Sequence, residues 1–162
     1  MPNYLAIENN CGKRELALVL TEFYQEKKDT KVVKYLGQFY LDHYKKLKPE
    51  EQSFWSSDIS RLSCIIKKIV DDKAVWITDK KGVELKKTII KPATDYIEKE
   101  LYEYMRNPKN HKYPDLINSC ASLVLDIQSS VIGDNLLKFL APHFQIGNYK
   151  TPLAIKDKIQ KE

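Results

Sequence analysis

PDLINSCASLVLDIQSSVIG, residues 114–133, repeats its apolar side chains at intervals of three and four. Leu116, Cys120, Leu123, Val124, Ile127 and Val131 therefore fall on one face of a helix. Gly133 is a suitable place for that helix to end. The stretch predicts one long amphipathic helix with a buried stripe, and it sets the class of the chain as mainly α.

The same period extends outward on both sides. Upstream, Ile90, Ala93, Ile97, Leu101 and Tyr104 align from Thr88 to Met105, with Pro92 admissible only within the first turn. Between these two helices lies a connector with two prolines, RNPKNHKYP, residues 106–114. Before them, AVWITDKKGVELKKT places two short β-prone runs around Asp79-Lys80-Lys81-Gly82. A glycine where a positive φ is wanted makes this a predicted hairpin over residues 74–87.

Residues 49–72 open on Pro49-Glu50-Glu51, a good first helical turn, and carry Trp55, Ile59, Leu62, Ile66 and Ile69 at helical spacing. One helix, or two separated by an internal cap at the serines and Asp58, is expected there. KRELALVLTEFYQE predicts a first helix near 13–27. Val32, Leu36, Phe39, His43 and Leu47 predict a second that runs to about Lys48. Downstream, Asp134 is expected to cap a short helix DNLLKFLAPHF, and Thr151-Pro152 to start a last amphipathic turn or two. The fold expected from these elements is a helical bundle with one small β-hairpin near residues 74–87, in a single domain over residues 1–162.

Composition narrows the class of function. A chain of 162 residues that is 43% hydrophobic and 30% charged, with five glycines and seven prolines, predicts a compact core without long low-complexity tracts. No apolar run approaches the ~20 residues that span a bilayer, and the first residues lack a basic region followed by an apolar one. A soluble, cytoplasmic protein with no membrane partner is expected. Cys11, Cys64 and Cys120 are far apart and without C-x-x-C spacing, which suits small buried hydrophobes in a reducing compartment. The net charge of +5 permits an acidic partner such as RNA or DNA. The basic residues are nevertheless nearly all lysines, whereas bidentate reading of guanines and phosphates favours arginine.

Most catalytic signatures are absent. There is no H-E-x-x-H, no glycine-rich phosphate loop, no G-x-S-x-G and no Cys/His ligand cluster, so neither a metal nor a cofactor is expected. Acid pairs such as Asp71-Asp72 and Glu98/Glu100 sit beside lysines and read as solvated surface. His43 lies within the aromatic stripe of the second helix and His143 follows Pro142 at a helix end. His111 differs, because Arg106 precedes it by five positions and a long amphipathic helix stands on each side.

The run Arg106-Asn107-Pro108-Lys109-Asn110-His111, followed by Lys112-Tyr113, resembles the hallmark of the HEPN superfamily: an arginine, a polar residue, a short spacer and a histidine ahead of the last core helix. The resemblance covers about residues 88–132. It implies an all-α domain that cleaves RNA without a metal, the ribose 2′-OH attacking the adjacent phosphate. It also implies a homodimer in which two such motifs form one cleft, and a toxin or defence setting in which an antitoxin modifies the tyrosine. His111 is then expected to transfer protons and Arg106 to stabilise the phosphate, with Asn107 and Tyr113 supporting them and Lys109 and Lys112 drawing in the RNA backbone. Pro114 and the hairpin depart from the family pattern.

Three other readings of the same residues stand beside that one. Arg106 and His111 fit equally well as plain helix-end residues, the arginine serving C-terminal carbonyls and asparagine-proline opening a turn. A winged-helix DNA-binding protein would use DISRLSCIIKK as its recognition helix, with Arg61, and TDKKGVELKK as its wing. A non-catalytic helical interaction protein, an adaptor or inhibitor, would use the ten tyrosines and two tryptophans as contact surface.

Overall fold

The apolar stripes of the helical segments become one core. In the computed structural model, which describes residues 3–145, α1 (Leu16–Lys27) and α2 (Asp29–Lys45) pack against one another. A three-stranded antiparallel sheet follows: β1 (Phe54–Asp58), β2 (Ser63–Val70) and β3 (Lys73–Asp79), in the order β1-β2-β3. The chain then turns helical through α3 (Val83–Leu85), a π-turn (Lys86–Ile90) and α4 (Lys91–Arg106). After a 3-10 turn (Pro108–Lys112) come α5 (Pro114–Gln128) and α6 (Val131–Leu140).

The mainly α class holds, and α1, α2, α4, α5 and α6 fall close to where the 3.6-residue period placed them. Leu20, Leu36, Ile97, Leu101, Leu123 and Leu136, drawn from five helices, are fully buried in one core. There α1 packs on α5, α2 on α6, and α4 on both α1 and α5. Cys11, Cys64 and Cys120 are free and buried, as small hydrophobes are. Among the described residues, no single helix is long and apolar enough to cross a membrane.

The β region differs from the expectation in place and extent. Residues 49–72 form no long helix. They hold β1 and β2, joined through a turn in which Asp58 Oδ1 accepts from Ser60 Oγ at 2.7 Å and from the Arg61 N–H at 3.3 Å. The Trp55/Ile59/Leu62/Ile66/Ile69 spacing matched a helix by coincidence, because β2 is apolar on both faces. Phe54, Cys64 and Ile66 face the main core, while Trp55 and Ile65 form a second cluster with Trp76. A strand buried on two sides loses its alternation and becomes indistinguishable from a helical segment by period alone.

The hairpin turn is accordingly not at Gly82 but at Asp71-Asp72, both at positive φ, and β3 ends at Asp79. Residues 83–87, expected as the returning strand after a turn at Asp79–Gly82, are helical instead. Gly82 does adopt the positive φ foreseen for it (66°), but as the residue before α3. The buried Asp79 carboxylate determines the switch, accepting from the Glu84 N–H at 2.9 Å and the Leu85 N–H at 2.8 Å, two donors that open a helix.

Pro92 explains the π-turn. Its missing N–H and its ring are incompatible with an undisturbed α-turn over residues 88–92, and the Lys91 N–H reaches back five residues to Lys86 O. α5 ends earlier than Gly133. Ser130, at φ 68°, breaks it, and α6 begins at Val131, so that Asp134 lies inside the first turn of α6 and pairs with Lys86 at 2.8 Å. The amphipathic turn expected from Thr151 lies outside the described residues.

Candidate functional site

The site singled out by sequence is the elbow between α4 and α5, and its polar residues hold the elbow shut. Arg106 is the last residue of α4. The Asn107 N–H donates to Tyr104 O at 3.3 Å, and its Oδ1 accepts from the Lys109 N–H at 3.1 Å, capping the 3-10 turn that Pro108 begins. Asn110 Nδ2 donates to Tyr104 O at 2.8 Å. His111 Nε2 lies 2.7 Å from Met105 O. A carbonyl only accepts, so Nε2 carries the hydrogen and donates, leaving Nδ1 as the second ring nitrogen. Three side chains thus serve carbonyls or amides that a helix terminus leaves unpaired.

Arg106 faces the other way. Its guanidinium carbon stands 5.8 Å from the centroid of the Tyr102 ring, one turn back on α4, a cation–π arrangement. The shallow groove around it is walled by Asp95, Glu98, Lys99 and Glu103, and His111 is not part of that groove. Asn107 lines a different hollow with Glu8, Glu15, Glu100 and Glu103, beside Arg14. The acidity of this face is strong enough to act on its own members: Glu100 titrates above the usual carboxylate range, through burial first and then through Glu103 and Glu8.

The structure therefore exposes Arg106, His111, Lys109, Lys112 and Tyr113 on one elbow, without gathering Arg106 and His111 into one cleft of the protomer. The guanidinium sits among carboxylates that repel a phosphate, and the imidazole is engaged with its own helix end. Among the described residues, no three His, Cys, Asp or Glu side chains are placed to hold a metal ion.

The winged-helix arrangement loses both of its parts. DISRLSCIIKK is the turn after β1 and strand β2, and TDKKGVELKK is the end of β3 and the start of a helix. Arg61 sits in the β1–β2 turn, 84% exposed and 3.7 Å from Asp58. A strand in the sheet cannot enter a groove as a recognition helix.

Two features escaped the sequence. At the end of the β2–β3 hairpin, Ile69 and Val70 are 70% and 51% exposed, just before the Asp71-Asp72 turn. The signal was the adjacent apolar pair in KKIVDDK, hidden because Ile69 also fitted a helical stripe. The second is a cavity of about 450 Å³ between the end of α2, β1 and the turn Ala141–Phe144. It is assembled from residues about 100 positions apart, so no local pattern announces it.

No protein-family model, no curated protein and no solved structure matches this chain.

Proposed function

We propose that this chain is a non-catalytic helical interaction protein, an adaptor or inhibitor, whose contact element is the β2–β3 arm. The observation that carries the reading is the tip of that arm, where two branched aliphatic side chains, Ile69 and Val70, stand in solvent at the end of a hairpin. The Asp71-Asp72 turn, at positive φ in both residues, has the backbone sign of the two-residue turns that match strand twist, so the tip is held in one shape. An isolated exposed leucine needs no explanation, but Ile69 and Val70, on opposite faces of β2, make both sides of an ordered tip apolar, which is area presented to a partner that encloses it. Binding through a pre-ordered element also avoids much of the entropy loss of association. The partner is a protein with an apolar pocket that takes the tip.

A photo-crosslinking residue at position 69 tests this in cells that make the protein. One discrete protein adduct is expected, and it should vanish when the crosslinker is moved to position 70 and Ile69 becomes Asp. Equal, diffuse labelling from position 69 and from the exposed control position Lys87 would overturn the reading.

A second reading retains the HEPN resemblance: a metal-independent endoribonuclease of toxin or defence type, acting as a homodimer and held in check by an antitoxin protein. It is favoured by the joint exposure of Arg106, Lys109, His111, Lys112 and Tyr113 on one elbow. In it a second copy completes the cleft and supplies the basic surface that the Arg106 groove lacks. His111 Nδ1 transfers the proton and Arg106 stabilises the phosphate. Incubation with tRNA and mRNA in EDTA separates the two readings. Cyclic-phosphate ends made by the wild type and abolished by Arg106→Ala and His111→Ala would select the nuclease. No cleavage, or equal cleavage by both variants, would remove it.

A further inference from the structure

β3 is an edge strand with one side open. The sheet order β1-β2-β3 leaves it a single neighbour, and among the described residues Lys73–Ile77 pair through the backbone with β2 only. In an antiparallel ladder every second residue directs its N–H and C=O away from the neighbour it already has, so the open side carries a row of unpaired donors and acceptors. Such edges are normally blunted by a bulge, a proline, an inward charge or a covering segment. β1, at the other edge, has two of these devices: its register shifts between Ser56 and Asp58, and Gln145 bridges Ser56. β3 has none. Its seven pairs with β2 run without a shift, Ala74-Val75-Trp76-Ile77-Thr78 contains neither proline nor charge, and Ala74 and Thr78 are exposed. An edge of this composition pairs with a strand of another chain.

The sequence around β3 says which strand. Laid antiparallel on itself about Trp76, it sets Trp76 against Trp76, Val75 against Ile77, Ala74 against Thr78 and Lys73 against Asp79. Just past the strand ends the same two-fold brings Asp72 toward Lys80 and Asp71 toward Lys81. These four residues are exposed, and none forms a salt bridge among the described residues. Residues directly opposite in a ladder point to the same face, so the two-fold falls on a residue position and not between two. Moving it by one position spoils the match. Centred on Val75 it sets Asp71 against Asp79, and centred on Ile77 it sets Lys73 against Lys81. Like charges directly opposite are unfavourable, so one register is selected. The exposed charge pairs add little affinity and mainly fix that register. The attraction comes from the centre, where the cross-strand pairs are aromatic on aromatic and branched on branched.

We infer that a second copy of this chain covers β3: two protomers pair β3 to β3 about a two-fold at Trp76, making one continuous six-stranded antiparallel sheet. The pairing uses the open side of β3, whereas Ile69 and Val70 lie on β2. It therefore goes beyond the contact proposed at the tip, and it stands whichever of the two functional readings survives.

Sedimentation velocity on the full 162-residue chain tests it by exchanging charges. The parent is expected to be a dimer at micromolar concentration. One variant carries Asp71→Lys with Asp72→Lys, the other Lys80→Asp with Lys81→Asp. Each alone sets like charges against each other at both ends of the pairing and should dimerise at least about tenfold more weakly than the parent. Mixed in equal amounts, the two restore opposite charges at both ends and should dimerise as the parent does. An edge that takes a foreign strand, or one that associates without register, gives no such rescue. A second pair of variants keeps the test sound if the charge exchanges disturb folding. Chains with Ala74→Cys and chains with Thr78→Cys, both at exposed positions, should form disulfide-linked dimers under oxidised glutathione faster when mixed than either does alone. The inference is overturned if the parent sediments as a monomer up to about 100 μM, a concentration at which even a weak specific dimer forms. It is equally overturned if either charge variant alone dimerises as the parent does, if their mixture stays monomeric, or if the cysteine chains cross-link no faster together than apart.

Discussion

Single residues in this fold are decided by what stands against them. Gly37 lies in the middle of α2, where glycine has poor helical propensity, yet a Cβ there would sit 2.2 Å from the Phe139 ring of α6. The glycine is what lets α2 and α6 approach. Gly37→Ala gains helix propensity, but overpacking of a close helix contact costs about 1–3 kcal/mol and should dominate. A lower urea midpoint is expected, recovered in the double variant with Phe139→Leu; a raised midpoint for Gly37→Ala alone would contradict the packing argument. His43 offers a pH test. Burial, aided by Lys46, holds its imidazole below the ordinary value of 6.5. The unfolded chain then binds the proton more readily than the folded one, so this residue's contribution to stability is fully present at higher pH. It is lost as pH falls through the unfolded value and levels off below the folded one. Comparing urea midpoints of wild type and His43→Gln between about pH 8 and pH 5 should show the wild type losing more stability on acidification. Parallel curves would contradict the assignment.

At the scale of elements, the helices were legible and the sheet was not, for reasons that can be located. The stripe Leu116, Cys120, Leu123, Val124, Ile127 marks α5 because only one side of that helix is buried, and one-sided burial is what periodicity records. β2 is flanked by the main core on one face and by Trp55 and Trp76 on the other, so its period is erased. Turn chemistry misled as well: Lys81-Gly82 has the glycine a hairpin favours, whereas the actual turn, Asp71-Asp72, asks two aspartates to adopt positive φ. In the elbow, the residues that resembled a catalytic motif were legible as a motif. Their employment at Met105 O and Tyr104 O was not, since asparagine and histidine serve helix ends and active sites with the same atoms. The hairpin turn makes a positive prediction. Asp71→Asn with Asp72→Gly supplies residues that accept positive φ at lower cost and removes two adjacent like charges, and should stabilise the chain by up to about 1 kcal/mol. Thermal unfolding would register it, and a lowered melting temperature would mean that the two carboxylates take part in contacts beyond the turn.

At the scale of the molecule, the question is whether the sheet is part of the helical core or an appendage to it. The arm projects, and Trp55, Ile65 and Trp76 form a cluster of their own, which suggests a piece able to melt by itself. Packing argues otherwise. Phe54, Cys64 and Ile66 belong to the same buried cluster as Leu20, Leu36 and Leu101, and Phe54 packs against a tilted Phe144 ring at 4.6 Å and edge to face with Tyr44 at 5.0 Å, tying β1 to the end of the helical region and to α2. Asp79 welds β3 to α3 through two hydrogen bonds, so the sheet cannot leave without uncapping the helix that leads into α4. One cooperative transition follows. The two tryptophans, both in the sheet, report its melting by fluorescence, and circular dichroism at 222 nm reports the helices, so the two signals should fall along one curve in urea. Asp79→Asn, which weakens the junction, should lower both midpoints together. A tryptophan transition that precedes the loss of helix would show that the arm unfolds separately, and an element that loosens alone could not present Ile69 and Val70 as a fixed contact.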